Sequence, residues 1–167
     1  MSDARDDRLA RIIAQYESAV GNYLRRRLYP LAAADLDELV ADTFTVVWRR
    51  LESLPADAEL AWIIGVARNV LRNAQRSRRR RDAYEGAVAA QRSAPATEDV
   101  VIADARVRHA LAALREDDRE ILLLHEWDGL AVDDLAQLLA ISPEAAAVRL
   151  SRARARFRAL YDEWDEP

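Results

Sequence analysis

Lysine and cysteine are both absent from the 167 residues, and glycine and proline are scarce at four and five. Without cysteine there is no disulfide framework, no thiolate metal site and no cysteine nucleophile. Two histidines, His109 and His125, are too few for a histidine-rich metal cluster. Both fall in stretches of helical apolar spacing, where a partly buried packing role suits them. No run approaches the ~18 apolar residues of a membrane span, and the opening MSDARDD is too polar for a secretory signal. The chain is therefore expected to be soluble and cytoplasmic, without membrane insertion. With no glycine-rich phosphate loop and no visible pairing of nucleophile with base, an enzyme is not expected, nor is a cofactor or a bound metal.

What is present is arginine. All 25 basic residues are arginine against 29 acids, for a net charge of −4. That total hides a local pattern. Seven arginines and no acid lie between Arg68 and Arg81, and five with no acid lie between Arg149 and Arg158. A pI near 5.3 argues against a histone-like binder, yet two basic stripes in an acidic protein are what local phosphate contact requires.

Abundant Ala, Leu, Arg and Glu with few breakers favour helix nearly throughout. Apolar residues at helical spacing predict a helix over 8–28, ending at Tyr29-Pro30. A second, capped by Asp35 or Asp37, runs to Leu51 before Pro55, and a third, capped by Asp57, runs from Ala58 into Arg81. From Asp82 to Val100 the pattern dissolves around Gly86, Ser93, Pro95 and Thr97, as in a flexible linker. Periodicity returns over 102–114 and 121–128, the latter behind Asp117 as cap, with Glu120 completing a capping box and Gly129 as stop. Two further helices are expected over 132–139 and 143–162, followed by a frayed acidic tail, Glu163 to Pro167. The expected fold is all-α: two small helical domains, 1–81 and 101–167, joined by a linker over 82–100, the second a four-helix domain.

The segment from Leu130 to Phe157 carries the most information. A helix ends at Leu139, Ala140-Ile141-Ser142 makes the turn, and Ser142 with Pro143 opens the next helix, the pattern of a helix-turn-helix. On a helical wheel, Ala146, Leu150, Ala153, Phe157 and Leu160 face the core, with Tyr161 at the border. The opposite face has a floor of Ala147, Val148, Ser151 and Ala155 between Arg149, Arg152 and Arg156 on one side and Arg154 and Arg158 on the other. Small residues admit close approach to a groove, and guanidinium groups reach phosphates or guanine edges. The third helix presents Trp62, Arg68, Asn69, Arg72, Asn73, Gln75 and Arg76 before Arg78 to Arg81. An aromatic, amides and cations on one helix suit an unpaired nucleic-acid strand; a core role for Trp62 is an equally open alternative.

Four stretches together resemble the bacterial sigma factors of the extracytoplasmic-function group, within the sigma-70 superfamily. Residues 35–48 (DLDELVADTFTVVW) look like the polymerase-clamp helix. Residues 61–69 (AWIIGVARN) with the arginine run look like the promoter-melting helix. Residues 110–114 and 119–124 open the fourth-region domain, and residues 135–142 (LAQLLAIS) with 149–155 (RLSRARA) match its helix-turn-helix. The resemblance implies binding to core RNA polymerase, through its beta and beta-prime subunits, and to promoter DNA; it also makes an anti-sigma factor an expected partner. By position, it implies a clamp contact through Glu38, Asp42, Thr45 and Trp48, the last able to serve either the clamp or the core. It implies −10 contacts through Trp62, Arg68, Asn69, Arg72, Arg76, Arg79 and Arg80. The −35 groove would receive Ala147, Val148, Arg149, Ser151, Arg152 and Arg156. Ala145 to Val148 stand where the family usually carries polar base readers, so −35 recognition is expected to lean on shape, methyl contacts and phosphates. The alternative is a stand-alone helix-turn-helix regulator without sigma activity.

Overall fold

Helix-forming residues with few breakers fold as their composition dictates: among the described residues there are seven α-helices and no strand. The computed structural model describes residues 2–28, 31–84 and 104–164. The chain divides into two compact units, Met1–Pro95 and Ala96–Pro167.

In the first unit, α1 (Ser2–Arg25), α2 (Leu36–Arg49) and α3 (Glu59–Tyr84) pack on one another in all three pairings. Val20, Tyr23 and Leu24 of α1, Val47 of α2 and Ile63, Ile64 and Ala67 of α3 are all buried in the core of this unit. Thr43 is fully buried, and its hydroxyl donates to the Leu39 carbonyl at 2.7 Å, which satisfies it without a partner from another helix. Polar ties join the helices at their edges. Tyr16 donates to Glu59 at 3.0 Å, and Gln75 donates to the Arg27 carbonyl at 2.9 Å. Partial burial, followed by the neighbouring Glu59 carboxylate, holds the Tyr16 phenol above its ordinary pKa.

Several expected boundaries move. Helix α1 begins at Ser2 rather than residue 8, and Arg5 from this added turn donates to the Trp48 carbonyl at 2.9 Å. Tyr29 and Pro30, expected to end it, lie outside the described residues. Asp35 does precede α2, but its carboxylate accepts from the Ala32 amide at 2.8 Å, closing the short turn before the helix instead of capping α2 itself. Helix α3 runs past Arg81 to Tyr84, so Asp82 to Tyr84 are helix and not linker. The Arg78–Asp82 ion pair, 3.1 Å and one turn apart, supports that extension. The rest of the expected linker lies outside the described residues.

The second unit holds α4 (Ala105–Ala113), α5 (Glu116–Leu122), α6 (Val132–Leu139) and α7 (Pro143–Asp162), with α7 packed against the other three. Helix α5 runs into a π-helical turn, Leu123–Trp127, and Gly129 at φ +73° ends it, as expected. The Nδ1–H of His125 donates to the Leu130 carbonyl at 2.8 Å across this corner. The expected Asp117 cap is not what starts α5. The helix begins at Glu116 after Arg115, which makes no side-chain cap; Asp117 and its neighbour Asp118 turn to arginines of α7 instead. Arg119 spans the preceding corner, donating to the carbonyls of Leu111, Ala112 and Leu114 and so satisfying the open end of α4. The tail is not frayed at its start: Trp164 packs on His109, ring centroids 4.3 Å apart, because its indole has apolar area to cover.

Ser142→Ala removes the 3.1 Å bond that the hydroxyl accepts from the Ala145 amide and is expected to lower unfolding free energy by about 1 kcal/mol. Gly129→Ala meets no atom but must hold a left-handed φ, with an expected loss of about 1 kcal/mol. Urea denaturation followed by circular dichroism measures both.

Candidate nucleic-acid and protein interfaces

On α7 the sequence wheel holds at its centre. Ala146, Leu150 and Ala153 are buried, while Phe157 and Leu160, expected in the core, are only half-buried. They sit toward the C-terminal end, where Phe157 stacks on Tyr161 and Arg106 lies over the Tyr161 ring at 4.2 Å. The turn before α7 is tight because Ala140 takes φ 54°, left-handed for a non-glycine. Its amide and that of Ile141 close onto the Gln137 and Ala136 carbonyls. Ser142 then caps α7, and the same hydroxyl, after the helix's own amide, holds the Glu144 carboxyl below its ordinary pKa. This geometry sets α7 across α6 as the second helix of a helix-turn-helix.

The outward face carries Ala147, Val148, Ser151 and Ala155 exposed, Val148 at 50%. Its five arginines divide into two kinds. Arg149 meets Asp117 at 2.9 Å, Arg154 places Nε and Nη2 on one Glu126 oxygen at 2.8 and 2.6 Å, and Arg156 is bonded to Asp118. Asp118 is 7% exposed at its side chain, so Arg156 answers a buried carboxylate. Arg152 and Arg158 make no ion pair with a described residue. The sequence shows five arginines without an acid; the fold brings acids to three of them from α5 and the π-helical turn. Arg156, expected as a groove contact, also ties α7 to α5 through Asp118, with its own side chain half-exposed.

On α3, Trp62, Asn69, Arg72, Arg76, Arg79 and Arg80 fall in one arc at the helical period, with Arg68 at its edge. Trp62 and Arg68 are half-buried, and the rest are exposed. Leu71 is the last buried residue, so the arginine-rich end of α3 stands clear of the unit's core. The helix C-terminus favours this charge through its dipole. Seven cations exceed what capping requires, and four of them on this arc, Arg72, Arg76, Arg79 and Arg80, form an exposed strip able to follow a phosphate backbone.

On α2, Glu38, Asp42 and Thr45 are exposed along one face. The Thr45 hydroxyl donates to the Ala41 carbonyl at 2.9 Å. Trp48 lies half-buried to the side of that face, its ring under the Arg5 guanidinium at 4.4 Å. It closes one end of an open groove of 570 Å³ between α1 and α2, floored by Leu9, Ile13, Val40 and Phe44 and edged by Asp6, Glu17 and Asp37. Asp6 and Glu17 were not among the residues singled out from sequence, because nothing in α1 by itself shows that its acids border α2. Among the described residues no cluster of His, Cys, Asp and Glu suits a metal, and no helix is long and apolar enough to cross a membrane.

Residues 12–81 match the family "Sigma-70 region 2" and residues 104–157 match "Sigma-70, region 4". The chain is 30% identical to the RNA polymerase sigma factor CarQ of Myxococcus xanthus, over 96% of this chain and 93% of that protein. It is also 30% identical to the RNA polymerase sigma factor CnrH of Cupriavidus metallidurans, over 81% of this chain and 78% of that protein. The structure of CnrH in complex with the cytosolic domain of CnrY superposes with a TM-score of 0.64 at 25% identity, covering 94% of this chain and 89% of that one. The sigma factor RpoE of Bartonella quintana, solved with the anti-sigma factor NepR, shares the fold with a TM-score of 0.62 at 21% identity, covering 99% and 100%.

Arg156→Ala leaves the Asp118 carboxylate buried without its partner. An expected loss of about 1–3 kcal/mol, discounted because the guanidinium is half-exposed, distinguishes it from Arg152→Ala, whose stability stays within about 0.5 kcal/mol of the parent. Chemical denaturation of both variants checks the contrast.

Proposed function

The chain belongs to the sigma-70 family, in its extracytoplasmic-function group, and as a sigma factor directing transcription we propose that it works through three separate faces. The exposed side of α2, Glu38, Asp42 and Thr45, meets the clamp of core RNA polymerase. The arc on α3, Trp62, Arg68, Asn69, Arg72, Arg76, Arg79 and Arg80, engages the opened −10 strand. The outward face of α7, Ala147, Val148, Arg149, Ser151 and Arg152, enters the −35 groove. Residues 1–84 and 104–164 are thereby assigned to separate tasks, and the chain acts in the cytoplasm, where the polymerase is.

The observation that carries this reading is the pairing of an acidic exposed face on α2 with cationic exposed strips on α3 and α7, each on its own helix and each free of the core. Opposite charge on these faces separates a protein partner from a nucleic-acid partner. In this reading bond formation belongs to the polymerase, and the chain supplies the contacts that place it on the promoter. Trp48 contributes at the border, where its ring closes the groove beside the clamp face. That groove, apolar below and acidic along its edge, suits an amphipathic helix carrying basic residues. An anti-sigma factor placed there would block the neighbouring α2 face, in keeping with the complexes in which the similar proteins CnrH and RpoE were solved.

Reversing both charges with Glu38→Arg and Asp42→Arg is expected to abolish co-purification with core polymerase and promoter-dependent run-off transcription, while duplex binding by the free chain is retained. Loss of duplex binding with polymerase binding intact would overturn the assignment of α2. Arg152→Ala is expected to weaken promoter binding of the holoenzyme by about 1–3 kcal/mol, measured by electrophoretic mobility shift.

A further inference from the structure

The three ion pairs on α7 differ in how firmly they are held. Asp118 is nearly buried, so separating it from Arg156 strands a charge away from water. Arg154 is gripped through two nitrogens, with both partners about half-exposed. Asp117 is different: its side chain is 82% exposed and meets Arg149 at a single 2.9 Å contact. Such a surface pair is worth a factor of about five at most, which places it within reach of competition from any other anion.

Arg149 is the first arginine of α7 and follows the exposed Ala147 and Val148. In a helix-turn-helix the N-terminal part of the second helix approaches the bases. The carboxylate of Asp117 offers the same two-oxygen anionic acceptor as a phosphate edge. We propose that Asp117 is an internal phosphate surrogate: it occupies Arg149 in the free protein, must be displaced when α7 engages duplex DNA, and so restrains sequence-independent binding. Arg152, without such a partner, remains ready to grip the backbone. The inference rests on the assignment of α7 as the DNA-entering helix.

The local structure supplies its own control. Glu116 precedes Asp117 in the first turn of α5, is exposed, and makes no ion pair with a described residue. Asp117→Asn and Glu116→Gln make the same change in net charge one residue apart. Only the first releases Arg149.

The test is fluorescence anisotropy of the full chain with a labelled duplex of arbitrary sequence, across a salt series. Asp117→Asn is expected to tighten binding about five-fold near 50 mM salt, with the gain shrinking as salt rises; Glu116→Gln is expected to change it less than about two-fold. In an Arg149→Ala background the gain from Asp117→Asn should vanish. Equal effects of the two acid variants, or a gain that persists without Arg149, would overturn the surrogate. Arg152→Ala separates the premise from the inference. If it leaves duplex binding unchanged, α7 is not the DNA face; if it weakens binding while Asp117→Asn does nothing, the restraint alone is wrong. Matching circular dichroism melts for all variants confirm that folding is not the variable.

Discussion

The second unit depends on a narrow seam along α7. Ala146 and Ala153 are fully buried on either side of Leu150, and their small side chains let α4, α5 and α6 all close on the same helix. Larger residues at the two alanines would hold those helices apart, since interiors pack to the density of crystals and have no room to spare. The seam is narrow enough to leave most of the circumference of α7 in solvent. A helix that binds a groove needs that, because the residues that hold it to its own domain are unavailable to a partner.

A seam of alanines contributes little apolar area, and guanidinium groups supplement it. Arg156 is fastened to the nearly buried Asp118, Arg119 satisfies the end of α4, and Arg106 lies over Tyr161. In the first unit Arg5 joins α1 to the end of α2 in the same manner. These tasks ask for several donors in a fixed plane, for stacking on a ring, and for a charge that persists at any working pH. Arginine meets all three requirements and lysine meets none of them as well. A chain with 25 arginines and no lysine can thus use one residue type both as structural fastener and as nucleic-acid contact, the difference lying in what each guanidinium meets.

The net charge of −4 takes on a different sense in this light. Part of the acid content is exposed on α2 and along the groove edged by Asp6, Glu17 and Asp37. Another part, Asp117, Asp118 and Glu126, is set against the arginines of α7. The acids therefore do more than add surface charge. They neutralise three of the five arginines on α7 and leave Arg152 and Arg158 without an ion pair to a described residue.

Sequence alone determined the elements that repeat within a turn or two of chain. The helix over 132–139, the turn through Ala140, the Ser142 cap, the start and length of α7 and the stop at Gly129 were all legible, because capping, backbone conformation and amphipathic spacing act over three to seven residues. The order of its motifs was enough to identify the sigma-70 resemblance. What tertiary structure decided is which charged groups are free. Arg154 and Glu126 are 28 residues apart and Arg156 and Asp118 are 38, and no local periodicity relates such positions. For the same reason Asp117 looked like a helix cap, the carboxylate that meets Arg156 went unseen, and α1 gave no sign that its acids border α2. An ion pair forms where two helices cross, and the crossing is set by how their buried faces pack, a property of the folded unit that no single helix carries.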